Sequence, residues 1–462
     1  MTRRVPRALA ALCALAALVL GGCGSLVPAV EPPSAALRAA FRDTADPPLA
    51  DTAAHEWNGF FADERLRQVV GMALQANRSL LAGMAAVERA RALYGVSRAA
   101  RRPELQGSAA VSRQTGNGSD GTGSRYSVSL GLAAWEIDFF NRLGSLEGAA
   151  LARYLAEEET QRSARLALVA EVANAWLALS AERQRLRLAE ALRDSQRRTL
   201  DLAERQYQLG AASGLQRARA QTAFEAARGE AARSAAAVTQ ARLSLELLAG
   251  QPLPTSLLPP GDSDVAMALP EVPTGLPATV LLQRPDLRAA EQSLQAAAYD
   301  VGAARAARFP RITLTASAGK VSPDLAGLFN SGSAFLGILP AVDVPLFDSG
   351  ARQARVEANE ATQRQAMAQY EAALQAAFRE VADALAVRDS LAERLAAQQA
   401  QVTAAERSLD LAQQSYRLGG ASQLELLDAQ RQLAAAQQGL VTLSETEQTN
   451  RVALLRALGG RW

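Results

Sequence analysis

Any chemistry in this chain has to be sought among acids and arginines. The sequence holds one histidine, His55, and two cysteines, Cys13 and Cys23. It has no Cys–His pair, no H-E-x-x-H, no Walker motif and no G-x-S-x-G elbow, so zinc hydrolysis, nucleotide-driven work and acyl transfer lack their residues. Most Asp and Glu lie among Arg on long helical stretches, where solvated faces account for them. No enzymatic activity, cofactor or metal site is expected. Two acids stand apart. Glu425 and Asp428 are three residues apart and share a helix face, just beyond the turn Tyr416-Arg417-Leu418-Gly419. A matching turn, Tyr207-Gln208-Leu209-Gly210, is followed by Gln216, Arg217 and Arg219. In both turns Gly stands just past a long helix, in the C-cap position. Acids near a helix N-terminus also suit the helix dipole, so a solvated helix start is a sufficient account of the pair by position alone.

The second candidate chemistry is covalent lipid attachment. Arg3, Arg4 and Arg7 precede the apolar run Ala8 to Leu20, and Leu20-Gly21-Gly22-Cys23 follows. Small residues ahead of a Cys resemble the bacterial lipobox, in which the Cys becomes the lipid-carrying N-terminus. An ordinary cleaved leader with a chance Cys fits the same residues. Gly24, not Asp, follows Cys23, which by the lipoprotein sorting rule points to the outer membrane. Residues 1–22 read as signal peptide and 23–60 as a Pro-containing tether. Cys13 lies in the leader, so no disulfide is expected. The formal net charge is +2; losing three arginines with the leader leaves about −1 on the same count. That balance gives no reason to invoke nucleic acid. No other run approaches the ~20 apolar residues of a membrane helix, so further membrane contact falls to strands.

The elements that must position these residues come in two copies. Leu200 to Leu215, LDLAERQYQLGAASGL, aligns without a gap with Leu409 to Leu424, LDLAQQSYRLGGASQL. Gly95 to Pro103, GVSRAARRP, aligns with Gly302 to Pro310, GAARAARFP, again about two hundred residues on. This period is too long for a solenoid and marks a duplicated unit. Phe60, Leu66, Val69, Val70, Met72 and Leu74 recur at helical spacing, and the pattern predicts a helix from Ala62 to Ala100, stopped by Pro103. Alternation predicts strands at about 104–114 and 125–139 around the polar loop Thr115 to Ser124, TGNGSDGTGS. The second copy predicts strands at about 311–321 and 334–347 around the loop Pro323 to Ser333. Leu143 to Leu209 and Ala351 to Leu418 contain no Pro and little Gly; a helix of that length spans roughly 100 Å and demands coiled-coil support. Ala62 to Ala100 and Leu215 to Leu248 give roughly 55 Å each, so two short helices end to end match one long one. Leu426, Leu433 and Leu440, with Ala429, Ala436 and Leu443, form a heptad seam. The linker from Gln251 carries Pro252, Pro254, Pro259, Pro260, Pro270, Pro273 and Pro277, with a short helix near Ala278 to Gln283. The expected organisation is thus a first repeat over 61–250, a linker over 251–284 and a second repeat over 285–462.

Each half reads helix, β-hairpin, very long helix, tight turn, helix. Together with the lipid signal, this resembles the TolC-like outer-membrane factor family in its lipoprotein efflux-channel branch. Trp57 to Asn77, WNGFFADERLRQVVGMALQAN, resembles the family's opening helix. Leu276 to Leu294, LPATVLLQRPDLRAAEQSL, looks like its mid-chain signature, and Ser415 to Leu433 and Leu454 to Trp462 match its tip and ending. The resemblance covers nearly the whole mature chain. It implies a mainly α fold with a membrane β-barrel part: a homotrimer forming a 12-stranded β-barrel and a long periplasmic α-helical barrel. Closure matters because a membrane tolerates no unpaired strand edge. It also implies an exit duct of a tripartite efflux system in the outer membrane, exporting small molecules such as drugs from the periplasm or the inner-membrane pump to the outside, and working with a periplasmic adaptor (membrane fusion) protein and an inner-membrane transporter of RND type. Cys23 would carry lipid, and Tyr207, Gly210, Tyr416 and Gly419 would sit at tip turns where the adaptor docks. Leu424, Glu425 and Asp428 would form the periplasmic gate, an apolar constriction beside an acidic ring that favours cations. The first copy departs from the pattern, with Gln216 where an acid is common. Arg217 or Arg219 pairing with Glu425 or Asp428 is one way to lock such a gate. A type I protein-secretion duct and a lipid-anchored periplasmic coiled-coil scaffold without a pore are the competing readings.

Overall fold

A computed structural model describes residues 26–30, 57–114, 123–260 and 278–460. Cys13, Cys23 and His55 lie outside them, as do 115–122 of the first hairpin loop and 261–277 of the linker. In chain order the first half runs α1 (Trp57–Phe60), α2 (Glu64–Ala76), α3 (Arg78–Ala99), β1 (Leu105–Gln114), β2 (Gly123–Glu136), α4 (Arg142–Gln208) and α5 (Gly214–Ala249). The second half runs α6 (Pro285–Ala306), β3 (Arg311–Ser322), β4 (Ala334–Asp343), α7 (Ala351–Arg417) and α8 (Gln423–Ala457). Short 3₁₀ turns occupy Thr255–Leu257 and Ala278–Gln283. The chain divides into two compact units that do not follow the sequence halves. One comprises Met1–Ala35, Ala86–Glu159 and Arg288–Ala373; the other Ala36–Ala85, Thr160–Leu287 and Leu374–Trp462.

The first unit holds one antiparallel sheet in the order β1-β2-β3-β4. Its β2–β3 pairing joins the two copies, which are far apart in sequence. The register sorts the side chains by face, because directly paired residues point the same way. One face carries the rows Leu105-Leu132-Ala316-Ile338 and Gly107-Leu130-Ala318-Leu336. The other carries Gln106-Gly131-Ser317-Gly337 and Ser108-Ser129-Gly319-Phe335, with the Ser108 and Ser129 hydroxyls 2.9 Å apart. One face is therefore apolar and the other rich in hydroxyls and glycine. A bulge between Leu132 and Trp135 keeps Trp135 opposite Leu314, and Ala134 takes φ 46° within it.

Strand β2 ends at Glu136, short of the expected 139. There the Glu136 carboxylate accepts from Arg142 Nε at 2.8 Å and Nη2 at 2.6 Å, and meets Arg311 Nε at 2.7 Å. Three elements are pinned at one point, and Asn141 with φ 58° turns the chain into α4. Strand β4 ends at Asp343, short of the expected 347, just before Pro345, which has no N–H for a ladder.

The second unit is all helical apart from turns. Its core gathers Phe60, Phe61, Leu66, Val69, Val70, Leu168, Val172, Trp176, Leu179, Leu245, Val452 and Leu455. The helix expected from Ala62 to Ala100 is instead two, starting at Glu64 under an Asp63 cap and broken at Asn77. Asn77 has ψ 121°; its Oδ1 accepts from Leu80 N–H at 3.0 Å, and its Nδ2 donates to Leu248 O at 3.0 Å. An asparagine that can cap a new helix and satisfy a neighbour's carbonyl outcompetes helix continuation. Gly250, at φ 73°, closes α5 against the Ala76 carbonyl, where a Cβ would stand 2.5 Å away.

Contrary to the expectation that no other run is apolar enough, α4 contains an 18-residue window with mean hydropathy 1.3. It is 56% buried, and the Leu168–Leu179 stretch of α4 supplies part of the core. Helix packing accounts for it. In the heptad seam of α8, Leu426, Ala429, Ala436 and Leu443 are buried, while Leu433 and Leu440 are half-buried.

Candidate functional site

The two helix turns of the second unit are built alike. After α4, Ala211 N–H donates to Gln206 O at 2.8 Å and Gly210 N–H to Tyr207 O at 3.0 Å. After α7, Gly420 N–H donates to Ser415 O at 2.8 Å and Gly419 N–H to Tyr416 O at 3.1 Å. This pair of bonds is a Schellman motif, and Gly210 and Gly419 take its left-handed position at φ 72° and 77°. The helices that follow open on matching capping boxes. Ser213 Oγ accepts from Gln216 N–H at 3.2 Å while Gln216 Oε1 accepts from Ser213 N–H at 2.7 Å. Ser422 Oγ accepts from Glu425 N–H at 3.2 Å while Glu425 Oε2 accepts from Ser422 N–H at 2.6 Å. The S-x-x-Q and S-x-x-E spacings are the sequence signals of these caps.

The side chains around this common frame differ. Glu425 spends its carboxylate on the cap, and the backbone N–H of Ser422 holds it below the ordinary glutamate range. Asp428 Oδ1 accepts from Arg431 at 3.1 Å and Oδ2 from Gln432 Nε2 at 2.6 Å. Arg217 lies over the Tyr207 ring, 4.9 Å from its centre. The expected pairing of Arg217 or Arg219 with Glu425 or Asp428 is therefore absent within one chain among the described residues: each acid has a nearer partner on its own helix. Tyr416 donates across to Gln206 Oε1 at 3.5 Å, and burial raises its hydroxyl above the usual tyrosine range.

Leu424 is half exposed, as is its repeat counterpart Leu215. They share one groove of about 640 Å³, whose lining also includes Leu192, Arg219, Leu427 and Arg431. Below it a polar layer joins α4 to α8: Gln196 Nε2 donates to Gln430 Oε1 at 2.9 Å, and Gln430 Nε2 to Ser195 Oγ at 3.1 Å. Sequence reading missed this layer and the Arg431 contact. The i,i+3 spacing of Asp428 and Arg431 was the available signal. No cluster of His, Cys, Asp and Glu among the described residues could hold a metal ion.

A family model described as outer membrane efflux protein matches residues 69–251 and 276–460. The solvent efflux pump outer membrane protein SrpC of Pseudomonas putida is 40% identical over 97% of this chain and 97% of its own. Outer membrane protein OprJ of Pseudomonas aeruginosa is 38% identical over 97% of this chain and 95% of its own. Among solved structures, the open state of the Neisseria gonorrhoeae MtrE outer membrane channel superposes with a TM-score of 0.83 at 34% identity, covering 94% of this chain and 98% of that one.

Proposed function

Because the chain belongs to the outer membrane efflux protein family, we propose that its paired helix turns form the periplasmic entrance of an export duct. The chain is the outer-membrane channel of a tripartite efflux system, and apolar small molecules such as those handled by the solvent pump relative are its cargo class. It is a conduit rather than a catalyst; an adaptor docked at the turns with Tyr207, Gly210, Tyr416 and Gly419 links it to an inner-membrane transporter, of RND type, that supplies the energy. Three chains close a twelve-stranded barrel from four strands each and continue as a helical barrel. The two repeats, 61–250 and 285–462, each contribute one hairpin and one helical set. Cys23 serves as the lipid anchor.

The observation that carries this reading is the two-faced sheet. Its apolar rows suit hydrocarbon, and the rows bearing Gln, Ser and Gly suit an aqueous lumen. A periplasmic scaffold without a pore has no use for that division. At the entrance, threefold symmetry turns Asp428 into a ring of carboxylates behind Leu424, with Glu425 at the helix start. Such a ring favours cations.

Planar-bilayer recording of the purified protein tests the duct and its gate together. The expected result is discrete cation-preferring conductance from a trimer, with Asp428→Ala raising conductance and lowering cation preference. A helical, non-conducting product would overturn the duct; unchanged conductance and selectivity in Asp428→Ala would overturn the gate.

A further inference from the structure

Lys320 is the only lysine among the 49 basic residues of this chain. Its position in the sheet is unexpected for a cation. It lies on the apolar face, in the row Ala109-Val128-Lys320-Ala334. The next row toward the hairpin loops is Val111-Tyr126-Ser322, and the row beyond it pairs Arg113 with Ser124. Lys320 and Arg113 thus share the apolar face, two strands and four residues apart, or about 16 Å by strand spacing and rise. Tyr126 stands in the row between them, and aromatic rings in such rows suit the headgroup level of a barrel.

Neither cation is neutralised by a carboxylate among the described residues. Lys320 Nζ donates to the Phe329 carbonyl at 2.8 Å and lies 5.5 Å from that ring's centre, which leaves two N–H donors for another acceptor. Asp324, the acid of the same loop, accepts instead from the Gly327 N–H at 2.6 Å through Oδ1. Arg113 is exposed. A cation on a lipid-facing strand is tolerated near the interface and penalised toward the bilayer centre, so this pair belongs at the rim.

We propose that Lys320 and Arg113 form a binding site for phosphate groups of anionic lipids in the outer leaflet, with Tyr126 packing against the sugar or glycerol between them. Phosphate matches both cations: Arg offers a fork of donors and Lys a point charge. The site rests on the outer-membrane barrel reading. It would fix the depth of the barrel and select the lipid around it.

The sole lysine makes the test direct. The full chain is reconstituted in vesicles of phosphatidylcholine, with or without bisphosphorylated lipid A, and acetylation of Lys320 by an amine-reactive ester is followed by peptide mass spectrometry. A bound phosphate covers the ammonium and holds it protonated, so lipid A should slow acetylation about tenfold, the scale of one opposite charge at contact. Inorganic phosphate added to phosphatidylcholine vesicles should give no protection. In native mass spectrometry, wild type and Lys320→Arg should retain lipid A, and the double variant Lys320→Ala, Arg113→Ala should lose it. Equal acetylation with and without lipid A, equal protection by free phosphate, or equal retention by the double variant would overturn the proposal. Conductance of the same vesicles keeps its failure distinct from failure of the duct.

Discussion

The guanidinium of Arg217 sits 4.9 Å from the centre of the Tyr207 ring, where the second repeat places Leu426 at the equivalent position, 6% exposed. One turn is thus flanked by a cation on an aromatic face and the other by an aliphatic side chain in a helix seam. Arg217→Ala should lower stability by under about 1 kcal/mol, the range of an exposed cation–π contact. It should leave conductance unchanged, since Arg217 holds neither acid of the second tip. Single-channel recording checks this; a conductance rise matching that of Asp428→Ala would mean Arg217 closes the gate by pairing with a neighbouring chain.

Asp428 shares its charge with Arg431 at 3.1 Å. Removing that partner should act opposite to removing the acid. Arg431→Ala should strengthen cation preference, and Asp428→Ala should weaken it. Reversal potentials in asymmetric salt measure both, and a shift of the same sign in the two variants would count against an acidic ring.

The caps make a stability prediction. Ser422→Ala removes the acceptor for Glu425 N–H and should destabilise by about 1 kcal/mol. Glu425→Gln keeps both bonds, as Gln216 does in the first repeat, and should be nearly neutral at pH 7. Because the folded Glu425 carboxyl is held low by Ser422 N–H, its contribution is present above the unfolded value of about 4.3 and fades as pH falls through the lower folded one. Glu425→Gln should lack that acid dependence, as read from denaturant midpoints between pH 3 and 7.

Arg284, 7% exposed, anchors the mid-chain signature. It donates to Asp286 at 3.0 and 2.6 Å, to Glu380 at 3.0 Å and to the Ala457 carbonyl at 2.9 Å. Arg284→Ala leaves the Ala457 carbonyl without its donor and should destabilise by about 1–2 kcal/mol, since Asp286 and Glu380, each more than a third exposed, turn to water instead. Arg284→Lys should restore only part, because it cannot form the fork. Burial alone would raise the Asp286 carboxyl, but the Arg284 fork and Leu287 N–H hold it below the usual range. That stabilisation is complete above the unfolded value of about 3.9 and is lost as pH drops through the folded one. Unfolding midpoints of the two variants across that range test it.

Gly210 and Gly419 have open space around them, so Gly→Ala at either should cost only the left-handed backbone term, about 1 kcal/mol. A much larger loss in thermal unfolding would reveal a packed partner at the tip.

Period and alternation made the elements legible because they depend on which face each side chain presents. The 67-residue helices α4 and α7 announced themselves by the lack of Pro and Gly. The break at Asn77 did not, since one polar side chain decided it through a contact with Leu248, 171 residues away in sequence. At the tips, Gly210 and Gly419 could be read from their type alone. The partners of Asp428 could not: an acid near several arginines does not say which geometry wins, and Arg431 on the same helix was closer than Arg219. The two faces of the sheet needed the register between copies, including the bulge at Leu132 and Trp135, which no single strand encodes.

Gln216 and Glu425 perform the same capping with and without a charge. An amide oxygen and a carboxylate oxygen are interchangeable at that third position, so the helix start can gain or lose a unit of charge without disturbing the turn before it. After the duplication, this left a position at which the copies could diverge electrically while remaining mechanically identical. A lineage adapting to new ionic conditions could therefore alter the charge beside these turns by a single-codon exchange, Glu to Gln or back, with the helix ends undisturbed.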